Sequence, residues 1–189
     1  DPTPVQPDNI VQIAQASGFN SLATALTIAG LDDDLQGAGP FTVFAPTDEA
    51  FTALLGAIGQ TDINDVPVEV LQQILLYHVV PSSVISTQLQ AGMVQTLQGT
   101  DVTVSISSGI MVNDANVIMP YDVVASNGVI HTIDQVLVPA AILQFVNTVL
   151  EPAYFNKNFS TLIAAAVKAD LVTALLTTPN LTIFAPTND

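Results

Sequence analysis

A chain of 189 residues with 49% hydrophobic content is long enough for one domain with a full core, plus an extension. Two Lys and no Arg stand against 17 Asp and Glu, a formal charge of -15, so phosphate-rich partners are repelled at long range. That excludes nucleic acid and disfavours an anionic membrane, and the lack of Cys rules out a disulfide framework, a thiol nucleophile or a thiolate metal site.

The opening Asp1-Pro-Thr-Pro-Val-Gln-Pro7 reads as an extended Pro-rich linker without the basic and apolar regions of a signal peptide. Helical periodicity begins at Ile10, with Ile13, Ala14 and Phe19 apolar, Asp8 and Asn9 as cap candidates and Gly18 as the stop. A second helix is predicted over Ser21–Ala29, burying Leu22, Ala25, Leu26 and Ala29 and ending at Gly30. Phe41–Ala45, between Gly39-Pro40 and Pro46, has the composition of a short buried strand. Thr47 caps the next helix, whose first turn holds Asp48 and Glu49 and whose Phe51, Leu54 and Leu55 point inward.

Pro67 suits the first turn of a further helix through Val70, Leu71, Ile74 and Leu75, running out at Tyr77-His78-Val79-Val80-Pro81. The period then changes. Val102, Val104 and Ile106 alternate with polar residues, Ser108-Gly109 makes a turn, and Ile110–Val112 returns as a hairpin partner. Short strands follow at Val117–Met119, Val129–Ile133 and Gln135–Val138, and Asn127-Gly128 supplies residues that tolerate positive φ for a hairpin turn. Pro139 opens a helix over Ala140–Leu150. Pro139, Gln144 and Asn147 interrupt the apolar run from Val136 to Leu150, which is too short to span a bilayer. Helices first and then strands in hairpin order predict an α+β domain rather than a parallel βαβ fold.

The chain also repeats itself. Phe41-Thr-Val-Phe-Ala-Pro-Thr-Asp48 returns as Leu181-Thr-Ile-Phe-Ala-Pro-Thr-Asn188, an offset of 140 residues that holds without gaps back to Phe19 and Phe159. A period that long means tandem domains rather than a solenoid. The expected organisation is a linker at 1–7, a domain at 8–150, a linker at 151–158 and the truncated start of a second domain at 159–189. Its strand Leu181–Ala185 has no neighbours from its own module, so the segment is expected to dock, either on the first domain or on another chain, the latter being self-association through residues 159–189.

Three segments, Phe41–Phe51, Leu75-Leu-Tyr-His-Val-Val80 and Ala125-Ser-Asn-Gly-Val-Ile-His-Thr-Ile-Asp-Gln-Val-Leu-Val-Pro139, together resemble the fasciclin domain family. The first and third match its two signature blocks and the middle one its tyrosine-histidine motif. The resemblance implies a β-sandwich wedge with a set of packed α-helices, in a secreted or cell-surface protein. It implies adhesion through extracellular protein or carbohydrate contacts in a matrix or biofilm, without catalysis and without a cofactor. The same resemblance marks Tyr77 and His78 as partner-binding residues. Their setting among Val79, Val80 and Leu76 also fits buried, hydrogen-bonded core residues, and His131, on one strand face with Val129 and Ile133, is open to the same two readings.

Motifs of enzyme chemistry are absent from the sequence: no Gly-x-Ser-x-Gly elbow, no phosphate loop, no Gly-x-Gly-x-x-Gly and no His-Glu-x-x-His. Two His give no His-rich zinc site within one chain. Asp32-Asp33-Asp34 is the densest acidic cluster, yet it lacks EF-hand spacing and reads as a solvated loop or helix start, so no metal site is expected. Asn158-Phe-Ser160 and Asn180-Leu-Thr182 are glycosylation sequons. A small-ligand or enzymatic domain using a surface cleft is the rival to adhesion.

Overall fold

The computed structural model describes residues 8–58 and 60–142. In chain order these form α1 (Ile10–Ala16), α2 (Asn20–Ala29), α3 (Asp32–Gln36), β1 (Phe41–Pro46), α4 (Asp48–Ala57), α5 (Val68–Tyr77), β2 (Val79–Val80), β3 (Gly92–Gln95), β4 (Asp101–Ser105), β5 (Met111–Val112), β6 (Ala115–Ala125) and β7 (Gly128–Ile133). The strands make one seven-stranded sheet in the order β2-β1-β7-β6-β5-β4-β3. Its pairs are antiparallel except β1 with β7, which run parallel over Phe41–Pro46 and Gly128–Ile133.

Alternation along β1 divides the interior in two. Val43 and Ala45 face the helices and join a core with Ile10, Leu22, Leu26, Leu71, Ile74 and Leu75. Phe44 faces the other way and packs with Tyr77, Val80, Val102, Val104, Val112, Ile133 and Leu137. The second core exists because β3, β4 and β5 fold back over the face of β1 and β7 that the helices leave bare. Leu97 N–H, just beyond β3, donates to Val79 O at 2.7 Å and draws the two ends of the sheet together. The fold is therefore α+β, a sheet folded into a wedge with helices on one side.

Short polar devices fix the helix ends. Asn9 caps α1 with a reciprocal bond to Gln12, and Gly30 closes α2 in the left-handed conformation at φ 65°. Thr47 Oγ1 accepts from Ala50 N at 3.2 Å, while Asp48 reaches across to α2 and accepts from Ser21 N at 2.8 Å and Asn20 Nδ2 at 3.0 Å. One Pro-Thr-Asp run thus ends a strand, starts a helix and pins the start of another. Burial pushes the Asp48 carboxyl up, but the bonds from Ser21 and Asn20 outweigh it and hold it below the ordinary carboxylate range.

Several expectations need correction. Asn127 and Gly128 do not adopt positive φ. Gly128 is needed for space, since a Cβ there would meet Phe41 O at 2.1 Å. Asn127 spends its side chain on distant backbone, accepting from Ile10 N at 3.0 Å and donating to Leu35 O at 2.7 Å and Gly37 O at 2.9 Å. Gln135–Val138 is not a strand; it crosses the sheet end without ladder partners, with Leu137 in the second core. Ile106 lies beyond β4 and is exposed. β3 escaped the sequence pattern, because its single apolar pair Met93-Val94 shows no alternation, and β6 runs far past Val117–Met119. Asp32–Asp34 form the first turn of α3, in keeping with the expected helix start. The helix predicted from Ala140 is helical to Ile142; its remainder, the flanking linkers, both sequons and the half repeat lie outside the described residues.

Candidate functional site

Tyr77 ends α5 and His78 is its C-cap, so the tyrosine-histidine pair sits at the joint between the helical layer and β2. Both are interior: Tyr77 is 6% exposed and His78 1%. His78 Nδ1 lies 2.7 Å from Ile74 O and its Nε2 accepts from Leu137 N at 2.9 Å. This geometry fixes a neutral ring with the proton on Nδ1. Burial lowers the His78 pKa to about 4, although the bond to Ile74 pulls the other way. The Tyr77 hydroxyl donates to Asp101 O and accepts from Asn113 Nδ2, both at 3.0 Å. The pair therefore joins α5, β4, the β5–β6 corner and the segment after β7.

A second polar group, of which the sequence singled out only His131, clasps the segment between β2 and β3. Thr42 Oγ1 donates to Ser82 O at 2.6 Å and accepts from Val84 N at 2.9 Å. His131, 0% exposed and stacked on Phe44 with ring centroids 5.8 Å apart, has Nε2 at 2.8 Å from Val84 O. Asp122 accepts from both the backbone N–H and the hydroxyl of Ser86. Burial pushes the Asp122 carboxyl up, but the Ser86 bonds and nearby His131 prevail and hold it below the usual range.

What the clasp supports is an apolar tip. β6 loses register with β7 between Ile118 and Val123, with Asp122 at φ 58°, and the bulge lifts Met119, Pro120 and Tyr121 out of the ladder. Met119 is 79% exposed and Val124 71%, with Tyr121 also exposed. Ile85, adjoining Ser86, is a further exposed apolar side chain brought beside the bulge by the Asp122 bonds. Sequence reasoning missed this tip because it reads as an ordinary apolar strand; the only signals were Pro120 within the run and Asp122 in place of an alternating residue.

A polar cleft of about 470 Å³ opens beside Tyr77, lined by Asp101, Asn113, Asp114, Gln135 and Leu137 among others. Among the described residues no group of three or more His, Asp or Glu is placed to hold a metal, and no helix is long and apolar enough to cross a membrane.

The fasciclin domain model matches residues 17–139, which takes in β1, the tyrosine-histidine joint, the clasp and the tip. The chain belongs to the fasciclin domain family. It is 43% identical over 132 residues to protein sll1483 of Synechocystis sp., covering 69% of this chain and 73% of that one. It is 32% identical over 184 residues to the transforming growth factor-beta-induced protein ig-h3 of Sus scrofa, covering 96% of this chain but only 26% of that protein. Among solved structures it is similar to a FAS1 domain pair from the insect cell adhesion molecule fasciclin I, with a TM-score of 0.51, 19% identity, and coverage of 93% of this chain and 62% of that one. That likeness shows the fold. Within this fasciclin domain, the first signature block builds β1 and the cap of α4, and the last builds β7 and the Asn127 anchor.

Proposed function

We propose that this fasciclin domain is a non-catalytic adhesion module of a secreted or cell-surface protein, contacting extracellular protein or carbohydrate through the Met119–Val124 tip in a matrix or biofilm. The observation that carries the reading is the division of labour in the clasp. Polar side chains bond to one another and to backbone behind the tip, and apart from the partly exposed Asp122 carboxylate what reaches solvent there is apolar. The one Ser, His and Asp grouping there is wired unlike a nucleophilic triad: Ser86 bonds to Asp122, and the far nitrogen of His131 faces Val84 O, not a hydroxyl. An exposed apolar group rimmed by polar residues is the usual mark of an interaction surface. Tyr77 and His78 contribute by fixing the frame that presents it. A second copy in tandem, suggested by the 140-residue repeat, would raise avidity for a repetitive partner.

The cleft beside Tyr77 supports the rival reading, a small-ligand site, because it brings a hydroxyl, two carboxylates and amide groups to one concavity. Probing glycan and protein arrays with the full chain separates the two. Adhesion predicts macromolecular binding that Met119→Ser with Tyr121→Ser abolishes and that chelators leave unchanged. Binding unaffected by those changes but lost in Asn113→Ala would move the site to the cleft.

A further inference from the structure

β2 and β3 face each other across a gap in the folded sheet. They meet at one end, where Leu97 N donates to Val79 O at 2.7 Å, and part towards Val84 and Gly92 around a cavity of about 330 Å³. Small-molecule sites commonly hold about 300 to 1,000 Å³. Phe44, Val80, Leu89 and Val94 give this one an apolar lining, and Gln88 and Gln90 add polar groups.

β3 contributes backbone as well. Asn113 N donates to Thr103 O at 2.7 Å and Asn113 Oδ1 accepts from Thr103 N at 2.9 Å, so Thr103 turns its backbone groups towards β5. By alternation Val102 and Val104 bond β3 through Val94 and Gly92, which leaves the N–H and C=O of Met93 directed at the gap. No described residue pairs with them, and Met93 lines the cavity although its side chain is 72% exposed. The opposite wall is held in place by the clasp: Val84 N donates to Thr42 Oγ1 at 2.9 Å, Val84 O lies 2.8 Å from His131 Nε2, and Phe44 stacks on the same ring. A cavity with walls fixed in this way loses little freedom on filling.

Charge narrows the occupant. No Asp, Glu, Lys, Arg or His lines the cavity, in a chain of formal charge -15. An anion is repelled at long range, and a cation would be desolvated there without a carboxylate to meet it. A sugar finds no open ring face to stack on, because Phe44 is 1% exposed.

We propose that this cavity binds an uncharged small molecule that joins an amide edge to a short apolar group, such as a blocked apolar amino acid. Its C=O and N–H take up the N–H and C=O of Met93 as a neighbouring strand would, and its apolar group lies against Leu89 and Val94. The site shares no lining residue with the cleft beside Tyr77.

Titrating the isotope-labelled full chain with N-acetyl-leucine methylamide, followed by amide proton–nitrogen correlation spectra, tests the proposal. Saturable shifts at the Met93 and Val94 amides are expected, with a Kd in the millimolar range for so small a ligand. N-acetyl-leucinate, the same body with a negative charge, should bind at least about tenfold more weakly at low salt. Ala91→Trp, filling the cavity from an exposed position, should lower affinity at least about tenfold with melting temperature unchanged. Should that change disturb the fold, Gln88→Ala with Gln90→Ala should weaken binding at least about threefold. Shifts absent throughout, shifts confined to the cleft beside Tyr77, methyl glucoside binding in place of the amide, or affinity that every folded variant retains would each overturn the proposal.

Discussion

The tyrosine-histidine joint and the Met119–Val124 tip make opposite use of exposure: a conspicuous motif is buried and an inconspicuous apolar run faces solvent. The joint holds the residues a reader would pick first, a Tyr and a His side by side, and the fold buries both with their polar atoms bonded to other parts of the domain. The tip holds Met, Pro, Tyr and Val in an unremarked strand, and a register break presents them to solvent. A motif can be recognisable because it is a structural joint. An exposed apolar tip can be anonymous in the sequence because nothing but exposure distinguishes its residues from a core.

If the joint is structural, its disruption should appear in stability, and most strongly at His78. His78→Ala leaves Leu137 N and Ile74 O without their partner beside a cavity, at a cost of about 3 to 4 kcal/mol. Chemical denaturation measures this, and a loss below about 1 kcal/mol would show that the joint is dispensable.

The same residue gives the joint a pH signature. With a folded pKa of about 4 against 6.5 for the ordinary group, the unfolded chain binds the proton more readily between those values. The stability conferred by neutral His78 is therefore complete above about pH 6.5 and is lost as pH falls towards 4, by about 3 kcal/mol in all. Asp48 adds a loss at lower pH: its folded pKa is depressed, so its contribution is present above the ordinary carboxylate value of 3.8 and disappears as pH drops through the folded one. Urea melts from pH 7 to 4 should show the first decline, and a non-titrating residue at 78 should flatten it.

Tyr77→Phe is the milder probe, removing one hydroxyl that bridges Asp101 and Asn113 while keeping the ring in the second core. A loss of about 1 kcal/mol in the same denaturation assay is expected.

How much of this was legible in the residues depended on the kind of signal. Helix ends were readable, because Asn9, Thr47 and Gly30 act locally, within a turn of their own position. β1 and β7 were readable as apolar, β-branched runs. β3 and the length of β6 were not, because their pairing is set by partners far along the chain and their patterns lack clean alternation. Asn127-Gly128 was recognised as special for the wrong reason: backbone freedom was expected, whereas the fold uses an amide that spans to Ile10, Leu35 and Gly37 and a missing Cβ against Phe41. Of the clasp only His131 was legible, as a buried, hydrogen-bonded strand residue; its union with Thr42, Ser86 and Asp122 was not, since the folded sheet alone brings them together.

The most direct test of the account sets the two regions against each other in one binding experiment, using whichever array component the full chain captures. Tyr77→Phe should keep the affinity of the unaltered chain within about twofold, while Met119→Ser with Tyr121→Ser should keep the unaltered melting temperature and lose binding by more than about tenfold. Loss of binding in Tyr77→Phe with full affinity at the altered tip would contradict it.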